Sequence, residues 1–351
     1  MKLCYFNDFR LGVLKGDGVV DITDAVKDIP HRDSRDLICG LIEKWDSYKA
    51  KVEKAAADGK AVPLKDVRLR PPVPRPGNIV CMAVNYMEDG TLKEKPQINA
   101  FHKAASCVIG EGDTMVLPDV PATIFEGEAE MALVISKRAD NVKAANAFDH
   151  IFGYINFIDG SARGVIPESN SFYQMKSRAT FAPIGPFLVT ADEVPDPHKL
   201  QVKLWINGTL KQNFNTDDMA HKIPRCIEWM TAIHDLEPGD ILATGTNHRG
   251  LSAFQDGDQV DLECEGLGKL TISVRDDLKR TWSRDSRLDR EHKGLTGTTP
   301  QLTGKYAKPR LLVREPAQSP VFRRLLNNHP RGQRPRERAA QRGDRGSPPT
   351  P

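Results

Sequence analysis

Between residues 78 and 278 the chain alternates short apolar runs, rich in β-branched and aromatic residues, with polar turns. Runs of about four to eight such residues are typical of β-strands, and Asn-Gly or Asp-Gly pairs between them are typical of tight turns. The runs read NIVCMAV, MALVIS, HIFGYINFI, GPFLVT, LQVKLWIN, GDILATGT, GDQVDLEC and GKLTISV. Helical spacing is best in the segment that starts near Asn141 and from Met219 to about Leu236. The pattern predicts an α+β, β-rich domain with few helices over residues 78–278.

The first 70 residues follow a different pattern. Three strand-like pieces, LCYFN, LGVLKG and GVVDI, precede the amphipathic stretch LICGLIEKW and the charged stretch KAKVEKAAADGKA. This order predicts a small α+β N-terminal domain over residues 1–70. The next segment, 71–77, reads PPVPRPG, and its prolines fix φ and remove amide donors, which excludes a helix or a central strand. We therefore predict a linker between two domains at 71–77.

Composition changes again near the C-terminus. Residues 279–308 are interpreted as a C-terminal extension, and residues 309–351 are dominated by Arg, Pro, Gly and Gln. Ten arginines and three acidic residues give this tail a formal charge of +7, which leaves −4 for residues 1–308 within the overall +3. So little apolar content predicts disorder. A nucleic-acid-binding arm is one interpretation, but the arginines lack interleaved aromatic residues, so we favour a solvated extension and expect no nucleic-acid partner.

The whole-chain composition narrows the class of protein further. A hydrophobic content of 39% is enough for an ordinary core, and no apolar run approaches the roughly 20 residues that span a bilayer. The six cysteines occur singly, without a CxxC pair, which favours reduced thiols over disulfides or a zinc site. We expect a cytoplasmic protein that does not associate with a membrane.

The first candidate metal-binding residues lie in the segment FEGEAEMALVIS. Because side chains alternate faces along a strand, Glu128 and Glu130 project from the same side, at the mouth of an apolar strand. A second apolar strand, HIFGYINFI, ends at Asp159, and Arg163 follows four residues later. Three carboxylates with no nitrogen or sulfur ligand indicate a hard cation, Mg²⁺ first, with Mn²⁺ or Ca²⁺ possible. Solvated acids at an exposed strand end are the alternative interpretation.

The order and spacing of several motifs resemble the fumarylacetoacetate hydrolase family over about 78–274. The motifs are EGEAEMALVISK, GYINFIDGSARG, Lys176 before FAPIGPFLVT, WINGTLKQNFNTDDM, LEPGDILATGTNHRG and GDQVDLECEGLGKLTISV. The resemblance implies a mixed β-sandwich or barrel-like catalytic domain, usually dimeric, with a metal and an acidic substrate in an open cleft. We therefore expect a homodimer that acts on a small oxo-acid.

The resemblance also implies roles for individual residues. The expected metal ligands are Glu128, Glu130 and Asp159; the expected catalytic residues that also bind the substrate are Arg163 and Lys176; further substrate contacts are expected from Tyr86, Lys103 and Thr246. Gln212, Asn215 and Thr216 are expected to support the site. A divalent ion bound to the substrate's oxygens would stabilise an enolate during C–C hydrolysis, decarboxylation, hydration or isomerisation of a 2-oxo or 1,3-dicarbonyl acid.

One segment departs from the family pattern. Members of the family usually carry a His and a Glu in a lid shortly after Asn85-Tyr86, but here Asp89 occupies the His position and Leu92 the Glu position. We take Asp89 and His248 as candidate acid–base residues, since a carboxylate or an imidazole can exchange protons. The sequence leaves the reaction type open. The alternative function is a degenerate family member that binds a metal and an oxo-acid without turnover.

Overall fold

The apolar runs form strands in the computed structural model, which describes residues 1–165 and 172–307. The strands are β1 Lys2–Phe6, β2 Arg10–Lys15, β3 Gly18–Asp21, β4 Val62–Pro63, β5 Leu69–Arg70, β6 Ile79–Met82, β7 Ala100–Lys103, β8 Val108–Ile109, β9 Thr114–Val116, β10 Ile124–Ile135, β11 Ile151–Arg163, β12 Ala182–Thr190, β13 Gln201–Ile206, β14 Thr209–Asn215, β15 Ile241–Ala243, β16 Gln259–Cys264, β17 Lys269–Arg275, β18 Thr281–Trp282 and β19 Gln301–Thr303. The helices are α1 Thr23–Val26, α2 Ser34–Glu43, α3 Trp45–Asp58, α4 Phe172–Lys176, α5 Ile223–Thr231 and α6 Arg287–His292.

Two sheets carry most of these strands. The larger has the order β4-β3-β2-β1-β12-β11-β10-β15-β6-β7, with β5 on β1 and β8 on β12, and the smaller has the order β14-β13-β16-β17-β9. The pairing is mixed, because β15 runs parallel to β6 while β10 and β11 are antiparallel. Neither sheet closes on itself within the described residues. The predicted α+β, β-rich class is confirmed.

Burial distinguishes the centre of the larger sheet from the smaller sheet. Strands β10 and β12 are buried at every position, whereas β13 and β17 alternate between more and less buried residues. A strand covered on both faces needs apolar side chains on both, and a strand covered on one face alternates. The centre of the larger sheet is therefore the place where any polar side chain needs a partner.

The predicted helix from Met219 to about Leu236 is shorter in the structure. Helix α5 spans Ile223–Thr231, with Pro224 in its first turn, where a missing amide donor costs no helical hydrogen bond. Beyond the helix, the backbone of Leu236 pairs with that of Ala139 instead of continuing the helix. The predicted helix near Asn141 is the 3₁₀ helix Ala144–His150. The early end of α5 arises because tertiary pairing outweighs local helical spacing.

The larger sheet continues across the predicted linker. Strand β1 pairs with β12, so that Leu3 lies opposite Leu188, and β1 to β3 extend the sheet that contains β10 and β11. The division at 71–77 stays a prediction, and the predicted disorder of 309–351 concerns residues outside the described part of the chain. No helix within residues 1–165 and 172–307 has the length and apolarity to cross a bilayer.

The C-terminal extension packs against the sheets as far as it is described. Arg280 is fully buried, where its guanidinium pairs with Asp276 and donates to the carbonyl oxygens of Pro118 and Val120. Helix α6 follows, and its first amide, that of Arg287, donates to the carbonyl of Leu251. The extension therefore lies beside the loop that follows β15, which forms one wall of the site described next.

Candidate metal centre

The predicted metal ligands lie on two paired central strands. Strands β10 and β11 are antiparallel, with Glu128 directly opposite Asp159 and Glu130 opposite Phe157. Directly opposed residues point to the same face, and so do residues two apart in one strand. This register alone brings three carboxylates together.

The position of these acids along their strands differs from the sequence prediction. Glu128 and Glu130 were expected at the mouth of a strand and Asp159 at the end of one, but pairing continues on both sides of all three, as far as Ile124 opposite Arg163. A buried carboxylate without a partner is unfavourable, which is why the apolar runs alone predict strands that stop at these acids. In the structure, buried cations contact Glu128 and Asp159, and the pairing of β10 with β11 continues past all three acids.

The three carboxylates form a compact buried group. One oxygen from each of Glu128, Glu130 and Asp159 can be chosen so that all lie within 4.8 Å of one another. The residues are 5%, 1% and 0% exposed. Three buried anions at this separation repel each other strongly unless positive charge lies between or beside them.

Two lysines supply part of that charge. Lys103, at the end of β7, donates to Asp159 Oδ1 at 2.6 Å and to the carbonyl of Gly160 at 3.1 Å. Lys176, at the end of α4, donates to Glu128 Oε1 at 2.8 Å and to Asp159 Oδ2 at 2.5 Å. Both side chains are buried. The structure therefore brings both predicted lysines to the carboxylates.

Arg163 lies at the other end of the group and joins it to a fourth carboxylate. Its guanidinium donates to Glu128 and to Glu126, which is 1% exposed. Glu126 also accepts from Arg287 of α6, with Nη2 to Oε2 at 2.6 Å. Glu126 and Arg287 were not predicted. Glu126 continues the every-second-residue spacing of Glu128 and Glu130 and could have been inferred, whereas nothing in the sequence around Arg287 indicated this contact.

The surroundings of Glu128 lower its pKa, whereas the surroundings of Glu130 raise its pKa. Burial would raise the pKa of Glu128, but Lys176 and Arg163 outweigh burial and hold that pKa well below its ordinary value. For Glu130, burial and the neighbouring charges of Asp159 and Glu128 together raise the pKa well above its ordinary value. Among the described residues, its carboxylate accepts from a single backbone donor, the amide of Gly245 at 2.7 Å. Glu130 is thus a buried carboxyl group without a cation in contact, and its surroundings disfavour its charged form.

The loop after β15 forms the wall that contains Thr246. The Thr246 hydroxyl donates to the carbonyl of Ala129 at 2.7 Å and accepts from Gln212 Nε2 at 2.9 Å. Gln212 also accepts from the Ala129 amide at 3.0 Å, which ties the loop to β10 beside the carboxylates. Gln212 thus connects this wall to β10, its expected supporting role stays a prediction, and Thr246 is buried at 1% exposure.

A small cavity of about 70 Å³ opens onto the group. It is lined by Met82, Ala83, Val84, Phe101, Glu128, Arg163, Phe172, Lys176, Thr246 and His248. The Phe101 and Phe172 rings stack at a centroid separation of 4.8 Å, and Lys176 Nζ lies 5.2 Å from the centre of the Phe101 ring. The cavity therefore has a charged floor and an apolar, partly aromatic mouth.

The remaining predicted residues fall in different places. His248 lines the cavity, whereas Asp89 is half exposed and faces Arg249 at 3.5 Å. Tyr86 is fully buried against Phe214, and its hydroxyl has no hydrogen-bond partner among the described residues. Asp89 and Tyr86 are not among the residues that line the cavity. Their predicted roles stay predictions.

The residues that form this site lie almost entirely within a stretch of the chain that matches a known protein family. The family description "Fumarylacetoacetate (FAA) hydrolase C-terminal" matches residues 78–275, which include both central strands and the loop with Thr246. The chain belongs to the fumarylacetoacetate hydrolase family. The resemblance stated from the motifs is confirmed, with nearly the same limits.

Members of this family that resemble the chain are enzymes with several activities. A maleylpyruvate hydrolase of Aquipseudomonas alcaligenes is 34% identical over 78% of this chain and 99% of its own length, and the mitochondrial oxaloacetate tautomerase FAHD2B of Bos taurus is 33% identical over 74% and 84%. The crystal structure of a maleylpyruvate hydrolase from Sphingobium sp. SYK-6, in complex with manganese (II) ion and pyruvate, is 34% identical and matches with a TM-score of 0.72 over 79% of this chain and 99% of that one. This chain is likewise an enzyme of the family.

Proposed function

We propose that the chain is a divalent-metal-dependent enzyme that acts on a small 2-oxo or 1,3-dicarbonyl acid. Its metal, Mg²⁺ first and Mn²⁺ or Ca²⁺ as possible substitutes, would be held by Glu128, Glu130 and Asp159. The single observation that carries the proposal is the meeting of these three buried carboxylates from two paired strands. Carboxylate oxygens are the ligands that such hard cations prefer.

The charges around the site fit a divalent cation. Four buried carboxylates are matched by four cations, so that their formal charges cancel. These groups are Glu126, Glu128, Glu130, Asp159, Lys103, Arg163, Lys176 and Arg287. Within this balance Glu130 is the carboxylate without a cation in contact, and its raised pKa shows how poorly its charge is compensated. A divalent ion would relieve that repulsion and leave the site with an excess charge of +2.

That excess charge suits the proposed substrate. A 2-oxo acid brings one negative charge in its carboxylate, and a second develops on the oxo oxygen when the acid becomes an enolate. A bound divalent ion acts as a Lewis acid and favours this development of charge. Arg163 and Lys176 border the cavity and are positioned to hold the substrate's carboxylate, and charge-assisted hydrogen bonds of this kind give both affinity and orientation.

The similar proteins support this class of substrate and leave the reaction open. They include a hydrolase of maleylpyruvate, a tautomerase of oxaloacetate and, at 27% identity and a TM-score of 0.63, a 5-carboxymethyl-2-hydroxymuconate delta-isomerase from Mycobacterium smegmatis. Enolate formation is common to C–C hydrolysis, decarboxylation and isomerisation of oxo-acids. We therefore propose the shared enolate chemistry and treat the individual reaction as the question for a substrate panel.

The test is turnover of oxaloacetate and a short acylpyruvate by the full chain with added Mg²⁺, compared with Glu128→Ala. We expect turnover by the wild type, loss after treatment with a chelator, recovery with Mg²⁺ or Mn²⁺, and loss in the variant. Equal turnover by both proteins would remove the proposed site. Metal and pyruvate binding by the wild type, without turnover of any oxo-acid tested, would favour the alternative of a binding protein.

We also propose that the chain forms a homodimer. Sedimentation equilibrium of the full chain would test it, and a monomer at micromolar concentration would contradict it. A cytoplasmic location, and the absence of nucleic-acid and membrane partners, likewise stay predictions.

A further inference from the structure

A histidine and a glutamate from separate segments meet at the rim of the cavity. Glu88 follows β6 in the segment that departs from the family pattern, and His248 lies in the loop after β15. The Nδ1 atom of His248 is 2.6 Å from Glu88 Oε1, and the backbone amide of His248 donates to Glu88 Oε2 at 2.8 Å. Both oxygens of one carboxylate thus contact the same residue.

The backbone around Glu88 is held in a conformation that needs external support. Glu88 and Asp89 have φ values of +56° and +55°, in the left-handed region that non-glycine residues rarely adopt. The segment is held by the Met87 amide, which donates to the carbonyl of Asp218 at 2.9 Å, and by the Asp89 amide, which donates to the Asp218 carboxylate at 3.0 Å. Residues kept in such conformations cluster at functional sites, where they place a side chain.

The contact decides which nitrogen of His248 is available to a ligand. A carboxylate next to Nδ1 accepts a hydrogen bond from it, so the neutral imidazole carries its hydrogen on Nδ1 and a lone pair on Nε2. In the described part of the chain, Nε2 has no hydrogen-bond partner, and His248 is among the residues that line the cavity, together with Glu128, Arg163 and Lys176. The side chains of His248 and Glu88 are 22% and 12% exposed, which leaves the histidine within reach of a small ligand.

We infer that His248 is the group that accepts and returns the substrate's proton, and that Glu88 is its positioning residue. The inference rests on the proposed function. In the forward step Nε2 takes a proton from C3 of a 2-oxo acid; the C3–H electron pair forms the C2=C3 double bond, and the carbonyl π pair moves to the C2 oxygen. The imidazolium is stabilised by the Glu88 carboxylate and exchanges its proton with water. The reverse step returns a proton to C3, so no other reactant is needed.

Exchange of the C3 protons of pyruvate with solvent deuterium measures this proton transfer in a substrate whose C–C bonds are not cleaved. The full chain, with Mg²⁺ and pyruvate in D₂O, is followed by proton NMR for loss of the methyl signal. Mn²⁺ affinity is measured separately by electron paramagnetic resonance, and pyruvate affinity by calorimetry in the presence of Mg²⁺. The variants are His248→Asn, Glu88→Gln, and His234→Asn as a control at a histidine outside the cavity.

We expect the exchange rate to fall about 100-fold or more in His248→Asn, because general acid–base catalysis contributes factors of about 10²–10⁴. Added imidazole should restore part of it. Glu88→Gln, which has similar shape but no charge, should lower the rate about tenfold with unchanged Mn²⁺ and pyruvate affinities, whereas a merely structural role would lower the affinities as well. His234→Asn should match the wild type.

The results that overturn the inference differ from those that overturn the proposed function. If His248→Asn binds Mn²⁺ and pyruvate and exchanges protons at the wild-type rate, the histidine has no such role and the metal site stands. If Glu88→Gln exchanges at the full rate, the positioning role is wrong. If the wild type binds neither Mn²⁺ nor pyruvate, both the proposed function and this inference fall.

Discussion

The substitution Glu130→Gln should raise the stability of the metal-free protein and weaken the proposed metal binding. Glutamine matches the shape of glutamate, and its carbonyl oxygen can still accept from the Gly245 amide, a bond of 2.7 Å in the wild type. The substitution removes a charge that burial and the carboxylates of Asp159 and Glu128 disfavour. We therefore expect the metal-free variant to be more stable than the metal-free wild type, although it loses a proposed metal ligand.

The size of the effect follows from the cost of a buried group that lacks a suitable partner, which is about 1–3 kcal/mol and larger for a charge. Because the unfolding entropy is about 2.1 cal/mol/K per residue, that range raises the Tm of a folded body of roughly 300 residues by about 2–5 °C. The sign also depends on pH. Because the folded-state pKa of Glu130 is raised, the folded protein holds its proton more tightly than the unfolded chain, and stability is lost as pH rises from the unfolded pKa through the folded one. The advantage of Glu130→Gln should therefore grow with pH over that window and then level off.

The assay is thermal and urea unfolding of both proteins after treatment with a chelator, at a series of pH values above 4.5. Both proteins are then remeasured with Mn²⁺, which should stabilise the wild type by mass action and the variant much less. The reasoning is refuted if metal-free Glu130→Gln is less stable than the wild type at neutral pH. It is also refuted if the stability difference shrinks as pH rises.

Three further changes test the neighbours of the carboxylates. Lys103→Met removes one of the two buried lysines that contact Asp159 and leaves Lys176, so unfolding in urea should show a loss of about 1.5–3 kcal/mol; a loss below about 0.5 kcal/mol would contradict the proposed charge balance. Arg287→Ala removes a cation that orients Glu126 and, through Glu126, also Arg163. We therefore expect the KM for an oxo-acid substrate to rise about tenfold (about 1.4 kcal/mol), with unchanged Mn²⁺ affinity. An unchanged KM would show that this contact does not affect substrate binding. Tyr86→Phe removes a buried hydroxyl without a partner and should raise metal-free stability by about 1 kcal/mol in a denaturant titration; reduced stability would reveal an interaction of that hydroxyl.

The parts of the site that local rules govern were predictable. The spacing of Glu128 and Glu130 places them on one face of any strand, and the apolar run before Asp159 predicts a second strand. That Asp159 lies directly opposite Glu128 depends on the register of β10 and β11. Register is set by the burial of both whole strands, so single-strand patterns do not specify it. The resemblance to the family, and not the pattern alone, connected the two segments.

Contacts between loops were not predictable from the pattern. Glu88 and His248 are 160 positions apart, and Arg287 reaches Glu126 from the extension after the matched family region. Contacts between distant loops leave no periodic pattern in the sequence, because they depend on the turns and on the packing of the whole fold. Both strands were predicted too short for a related reason: a carboxylate in a central strand is unfavourable alone, and the lysines and arginines that compensate it come mostly from distant segments.

The central claim is that Glu128, Glu130 and Asp159 bind one divalent ion. It is tested most directly by crystals grown with MnCl₂ and pyruvate, from which anomalous difference maps are calculated with data collected at the manganese absorption edge. The account predicts one strong peak per chain, with oxygens of all three carboxylates at about 2.0–2.6 Å. A map without a peak at the face of β10 and β11 that carries the three carboxylates, or with a peak that Asp159 does not contact, would contradict it.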